Sequence, residues 1–178
     1  MPDFYQKIQE DQGAVEDLIR KIPGFTGYFE KQDRRGADRL LREYLVRVFE
    51  EQLGAFTSLQ RDLIDSPGGI MQMERVQNIT TKLQTFIDRI GSAAQGYAGL
   101  FDATKVNEDE LARLYAFDNG LLQYQAQFGE GLGVFEAAIG NDEVDMKNVL
   151  RQLDSIVTDA NDMFKRRTEA MQGLQDSV

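Results

Sequence analysis

The chain contains no cysteine, no histidine and no tryptophan, and only three prolines in 178 residues. Without cysteine there is no disulfide and no thiol nucleophile. Without histidine there is no imidazole general base. Lacking both, the chain has no Cys/His zinc site and no CxxCH haem attachment. Long apolar runs are missing too. The longest uncharged stretch with apolar character, Ile90 to Phe101, holds Ser92, Gln95 and three glycines. It falls short of the roughly 20 apolar residues that a membrane-spanning helix needs. Met1 to Glu10 shows no basic region followed by an apolar run, so a secretory signal is not expected and the expected location is cytoplasmic.

Positive charge is scarce. Twenty Lys and Arg stand against 30 Asp and Glu, a net charge of −10. Phosphate binding requires uncompensated cations, so nucleic acid is not an expected partner. An interfacial membrane helix wants Lys and Arg on its polar face, whereas the first amphipathic segment carries Asp3, Glu10, Asp11, Glu16 and Asp17. With 42% hydrophobic and 28% charged residues, the composition suits one soluble domain with a sizeable core.

What is abundant is helical periodicity. Pro23-Gly24 and Pro67-Gly68-Gly69 break the chain, as do Asn107, a helix cap followed by Glu108-Asp109-Glu110, and Gly140-Asn141-Asp142. Five helices are predicted, at 4–21, 30–65, 70–101, 108–139 and 143–172. Apolar residues step by three and four along the third (Val76, Ile79, Leu83, Phe86, Ile90), the fourth (Leu114, Phe117, Leu121, Tyr124, Phe128) and the fifth (Met146, Val149, Leu153, Ile156, Ala160, Met163). No strand alternation of any length occurs. The fold class is therefore all-α: an up-down-up-down bundle of four long helices over 30–178, with an additional N-terminal helix and a Pro/Gly/aromatic turn over 1–29, in a single domain overall. Short connections would make consecutive helices antiparallel neighbours, which sets Gly91 level with Gly120.

Gly54, Gly91, Gly96, Gly99, Gly120, Gly129, Gly131 and Gly133 all fall inside predicted helices. Each costs about 1 kcal/mol relative to alanine, so they demand a reason. One is close packing of helix backbones against 11 Phe and six Tyr. The other is a kink or a ligand gap around Gly129 to Gly133.

Charges are unevenly spread. Glu30 to Arg47 carries a net +2, whereas Asp102 to Asp162 carries 13 acids and four bases. The topology sets Arg34, Arg35, Arg39 and Arg42 near Lys165, Arg166 and Arg167, giving a basic end opposite Asp62, Asp65, Asp142, Glu143 and Asp145. Pairs four residues apart, among them Arg34–Asp38, Asp38–Arg42 and Arg39–Glu43, also explain these charges as a solvated helix face. The aromatic turn Pro23 to Phe29 either caps the bundle or binds a partner. The candidate partner-binding residues are Phe25, Tyr28, Phe29, Arg34, Arg35, Arg39 and Arg42.

Catalytic motifs are not found. The Glu-x-x-His motif of di-iron bundles requires histidine, no Asp-Asp-x-x-Asp string occurs, and Asn141 to Asp145 lacks the ligand spacing of an EF-hand loop. Asp118 and Asp154 are the expected half-buried carboxylates; a buried acid with a raised pKa can act in proton transfer, but pairing with a nearby Arg is the expected role. No cofactor or metal is expected. The expected function is that of a non-enzymatic assembly, adaptor or scaffold subunit working through protein–protein contacts or self-association. Two alternatives are a bundle holding a small apolar ligand near Gly129 to Gly133, and a polymerising membrane-remodelling protein suggested only by the long hairpin of the second and third helices.

Overall fold

The computed structural model describes residues 4–28, 34–93 and 108–175, and these are helical apart from turns. The helices are α1 (Phe4–Lys21), α2 (Arg34–Ile64), α3 (Met73–Ser92), α4 (Glu108–Ala138) and α5 (Met146–Gln175), with a short 3-10 turn at Gly69–Gln72 before α3. At 1.5 Å per residue, the 31 residues of α2 and of α4 span about 46 Å each.

The direction of each helix follows from the residues that meet. Phe49 of α2 stacks edge-on against Phe86 of α3 at 5.0 Å, and farther along α2 Gln60 reaches back to Thr80 at 2.5 Å, so this pair is antiparallel. Gln52 donates to the Gln125 carbonyl at 2.8 Å while Phe56 lies 5.4 Å from Phe135, so α2 and α4 run the same way. Lys82–Asp154 and Phe86–Phe164 likewise set α3 parallel to α5. Direction thus alternates along the chain. The chief partners of α2 are α3 and α4, those of α5 are α4 and α3, and α1 lies on α4.

One expectation fails here. Gly91 and Gly120 do not meet: a Cβ on Gly91 would lie 3.8 Å from Val46 of α2, and one on Gly120 would lie 3.1 Å from Met163 of α5. The short-turn argument holds only for the two hairpins α2–α3 and α4–α5. Residues 94–107 separate α3 from α4, a longer stretch that does not oblige the two helices to be neighbours. That stretch lies outside the described residues, along with Gly96, Gly99 and the Asn107 cap.

Helix ends shift for local reasons. The fourth break caps three residues later than the sequence suggests: the Asp145 carboxylate accepts the amides of Lys147 at 3.0 Å and Asn148 at 3.3 Å, so α5 starts at Met146 rather than at 143. Asn141 instead turns on itself, its side-chain oxygen accepting the Glu143 amide at 3.1 Å. The third predicted helix loses its first turn to the 3-10 segment.

The mid-helix glycines divide. A Cβ on Gly131 would stand 2.7 Å from Leu153, and one on Gly129 would stand 3.0 Å from the Gln52 amide, so these two let α4 approach its neighbours. Gly54 and Gly133 have nothing within 4 Å of a Cβ. Alanine at either of these positions is expected to raise stability by about 0.5–1 kcal/mol, because it removes only the entropic penalty of glycine in a helix. Gly131→Ala is expected to give no such gain. Thermal melts of the three variants separate these cases.

Candidate functional site

Three helices bring charged side chains inside at the same end of the bundle. Asp38 lies in the second turn of α2, Asp118 a third of the way along α4 and Arg167 near the end of α5, and all three are buried. The guanidinium of Arg167 bridges the two carboxylates, its Nε donating to Asp118 Oδ1 at 2.6 Å and its Nη2 to Asp38 Oδ1 at 2.6 Å. Its Nη1 faces the Met171 sulfur at 3.1 Å. Arg42 Nε donates to the other oxygen of Asp38 at 2.9 Å. The Tyr28 hydroxyl donates to the other oxygen of Asp118 at 2.6 Å. Two acids and two guanidinium groups therefore neutralise one another, with every carboxylate oxygen occupied.

The aromatic turn closes this end. Phe25 and Tyr28 are buried and meet edge-on at 5.4 Å. The Tyr28 amide donates to the Tyr115 hydroxyl at 2.5 Å, and Arg34 Nε donates to the Tyr28 carbonyl at 2.7 Å. Tyr28 thus ties the end of α1 to α2 and α4 through its amide, its carbonyl and its hydroxyl.

Burial governs the ionisation of the cluster. Desolvation raises the Tyr28 hydroxyl well above the ordinary phenol value, and the Asp118 carboxylate adds to the shift. Desolvation also raises the Asp118 carboxyl, opposed by Arg167 and by the Tyr28 hydrogen bond. Burial alone would lower Arg167, but Asp118 and then Asp38 hold it well above its usual value, so it stays charged.

The candidate residues read from the sequence therefore separate. Phe25, Tyr28, Arg34 and Arg42 lie inside, which corresponds to the capping alternative for the turn and removes these four from the surface of the chain. The physical reason is that Asp38, Asp118 and the Tyr28 carbonyl need buried donors. Arg35 and Arg39 are on the surface, where Arg39 pairs with Glu43 at 2.8 Å. Phe29 lies outside the described residues. Asp118 meets an arginine, Arg167, but is fully buried rather than half-buried, and Asp154 pairs with Lys82 instead of an arginine, at 2.7 Å on a half-exposed face. Tyr115 and Met171 were not singled out by the sequence reading, and nor was the role of Arg167 as the bridge. The signal for Arg167 was present: Leu150, Leu153, Val157, Ala160, Phe164, Arg167 and Met171 form one buried heptad seam.

The two most exposed large apolar side chains among the described residues stand at the opposite end, while Ile19 on α1 and Val134 on α4 are about half exposed. Ile70 and Met71 are 74% and 81% exposed on the α2–α3 turn, with Ile64 partly exposed just before it. A separate open groove of about 420 Å³ runs between α4 and α5 beside Gly131, lined by Val134, Val149, Leu153 and Ile156 with Gln127, Glu130, Gln152 and Ser155. Leu153 fills the space that Gly131 leaves, so the glycine serves packing there. Among the described residues no group of three or more acidic side chains is arranged to hold a metal, and no helix is long and apolar enough to cross a membrane.

Fold and site together define an all-α bundle locked at one end by a buried ion network. Compared with known protein families, curated proteins and solved structures, the chain shows no match.

Proposed function

We propose that the protein is a non-enzymatic assembly or adaptor subunit that works through contact with another protein, and that its contact surface is the Ile64–Met71 tip rather than the Pro23–Arg42 region. The observation that carries this reading is the exposure of Ile70 and Met71, 74% and 81%, on a turn whose backbone is locked. Two adjacent large apolar side chains held in water gain by being covered, at roughly 25 cal/mol per Å² of apolar surface removed. The buried ionisable groups support the same reading. Asp38, Asp118, Arg42 and Arg167 are engaged with one another, so their charges hold helices together.

The test is a photo-cross-linking amino acid placed at position 71, with a second one at the exposed position 133 as control, in the cell that makes the protein. The expected result is a discrete adduct with one protein from position 71, absent from position 133 and lost in Ile70→Ser. No adduct from position 71, or the same adducts from both positions, overturns the reading.

A further inference from the structure

The acidic end holds more than an apolar tip. The α2–α3 turn is fixed by its own backbone: Gly68 takes φ +75° and Gly69 packs directly against the Leu63 carbonyl. Met73 packs on the core below, so Ile70 and Met71 stay outside. Around them, Asp62, Asp65 and Glu74 flank the same turn, and Asp142 and Glu143 stand on the α4–α5 turn at the same end. All five are exposed, and none forms an ion pair with a described residue. The cations of this end, Arg61, Arg75 and Lys147, are outnumbered. Five carboxylates against three cations leave this end with a net negative charge, which ordinary salt screens only beyond about 10 Å.

We infer, building on the protein-contact reading, that the occupant of this tip is a basic amphipathic segment of a different protein. Its apolar side chains cover Ile70 and Met71, and its Lys or Arg side chains meet Asp62, Asp65 and Glu74. Charge complementarity selects this occupant over the other two. A second copy of the chain would have to bring its own basic end; there Lys21 and Arg166 are exposed, but Phe25 and Tyr28 are buried, Arg42 and Arg167 are engaged inside, and Arg20, Arg39 and Lys165 sit in local ion pairs. Among the described residues that end exposes a single large apolar side chain, Ile19, and so no pair to lay on Ile70 and Met71. An anionic membrane would be repelled by the same carboxylates that attract a basic segment.

The test titrates the full chain with a synthetic amphipathic Leu/Lys helix, its Leu/Glu counterpart and a sequence-scrambled Leu/Lys peptide, at about 50 and about 300 mM salt. Fluorescence anisotropy is the readout. The Leu/Lys helix is expected to bind most tightly at low salt, the scrambled peptide more weakly and the Leu/Glu helix not at all. Ile70→Ser/Met71→Ser and Asp62→Asn/Asp65→Asn/Glu74→Gln are each expected to weaken binding at least about tenfold, which is about 1.4 kcal/mol. All these side chains are exposed, so circular dichroism should show unchanged helicity. Equal loss in Asp159→Asn/Asp162→Asn, acids far from the tip, overturns the inference, because attraction to net charge alone then explains binding. Undiminished binding by Ile70→Ser/Met71→Ser overturns it as well. So do a dimer in light scattering that this double variant abolishes, and Met71-dependent sedimentation with anionic vesicles. A cross-link from position 71 to a partner segment without net positive charge would leave the protein-contact reading standing and overturn this one alone.

Discussion

Replacing Arg167 with methionine is expected to lower stability by about 3–5 kcal/mol, the cost of breaking a buried ion cluster by removing one partner. Methionine keeps the length and much of the volume of the side chain, so the loss measures charge rather than a cavity. Asp38 retains Arg42 at 2.9 Å, but Asp118 is left with only the Tyr28 hydroxyl. A buried carboxyl in that position answers by holding its proton. Its value is already raised by desolvation with Arg167 present, and it rises further once the cation is gone.

The sign of the pH dependence follows. A carboxyl whose folded value lies above its unfolded value contributes stability that is complete below the unfolded value and is lost as pH rises through the folded one. The deficit of Arg167→Met should therefore be smallest at acid pH and grow towards neutrality. Adding Asp118→Asn removes the stranded charge while keeping an oxygen for the Tyr28 hydroxyl. The double variant is expected to regain at least half of the loss and to show no such pH dependence. Urea titrations of wild type, both single variants and the double variant at several pH values provide the measurement. Additive losses that do not vary with pH would show that the guanidinium acts only as bulk.

The same cluster shows what the sequence makes legible. Heptad spacing places Val76, Ile79, Leu83, Phe86 and Ile90 of α3 in the core, and all five are buried. For α5 the apolar count picks Ile156 and Met163, which are only partly buried, whereas the true seam takes Val157 and Phe164 one residue later. A charged residue on a seam is counted as a break, so Arg167 conceals the continuation of its own helix. The same holds for Asp118 on α4 and Asp38 on α2. Periodicity registers each as one defect, and only the alignment of the three helices brings the defects to one level, where they cancel. That alignment depends on pairing across 129 residues between Asp38 and Arg167, which local pattern does not carry. The four-residue pairs Asp38–Arg42 and Arg39–Glu43 are local and were legible.

The cluster also bears on why the bundle forms this arrangement. An apolar seam alone tolerates neighbouring helices sliding by a heptad, because leucine meets leucine again. Sliding α5 by one heptad would take Arg167 away from both carboxylates; Asp38 would keep Arg42, but Asp118 and Arg167 would be left uncompensated in the core. The ion network therefore specifies register, whatever its net contribution to stability. Tyr28 extends the specification to the N-terminal segment, since its hydroxyl completes Asp118 and its carbonyl receives Arg34. Phe25, Tyr28, Arg34 and Arg42 of the basic end are thus committed to internal order.

Gly69→Ala is expected to have an effect of similar size through backbone alone. A Cβ at this position would overlap the Leu63 carbonyl oxygen and lie 2.7 Å from its carbon. No rotamer relieves a contact with backbone. The Leu63 carbonyl ends α2 and is held in place by the Ser66 amide at 3.0 Å and the Ser66 hydroxyl at 2.7 Å, so it cannot move without surrendering both bonds. The turn must open, and the Gly69 amide bond to the Ser66 carbonyl at 3.1 Å goes with it. The expected cost is at least about 3 kcal/mol, the upper end for overpacking. At about 2–4 °C per kcal/mol for a chain of this size, the melting temperature should fall by roughly 6–12 °C. Gly54→Ala, in the exposed middle of α2, serves as the control and should move the other way. Because Gly69 also holds Ile70 and Met71 outward, the variant should lose binding at the tip even below its melting temperature. A Gly69→Ala protein that melts like wild type would mean that the turn does not have the backbone described, and the argument for a fixed apolar tip would go with it.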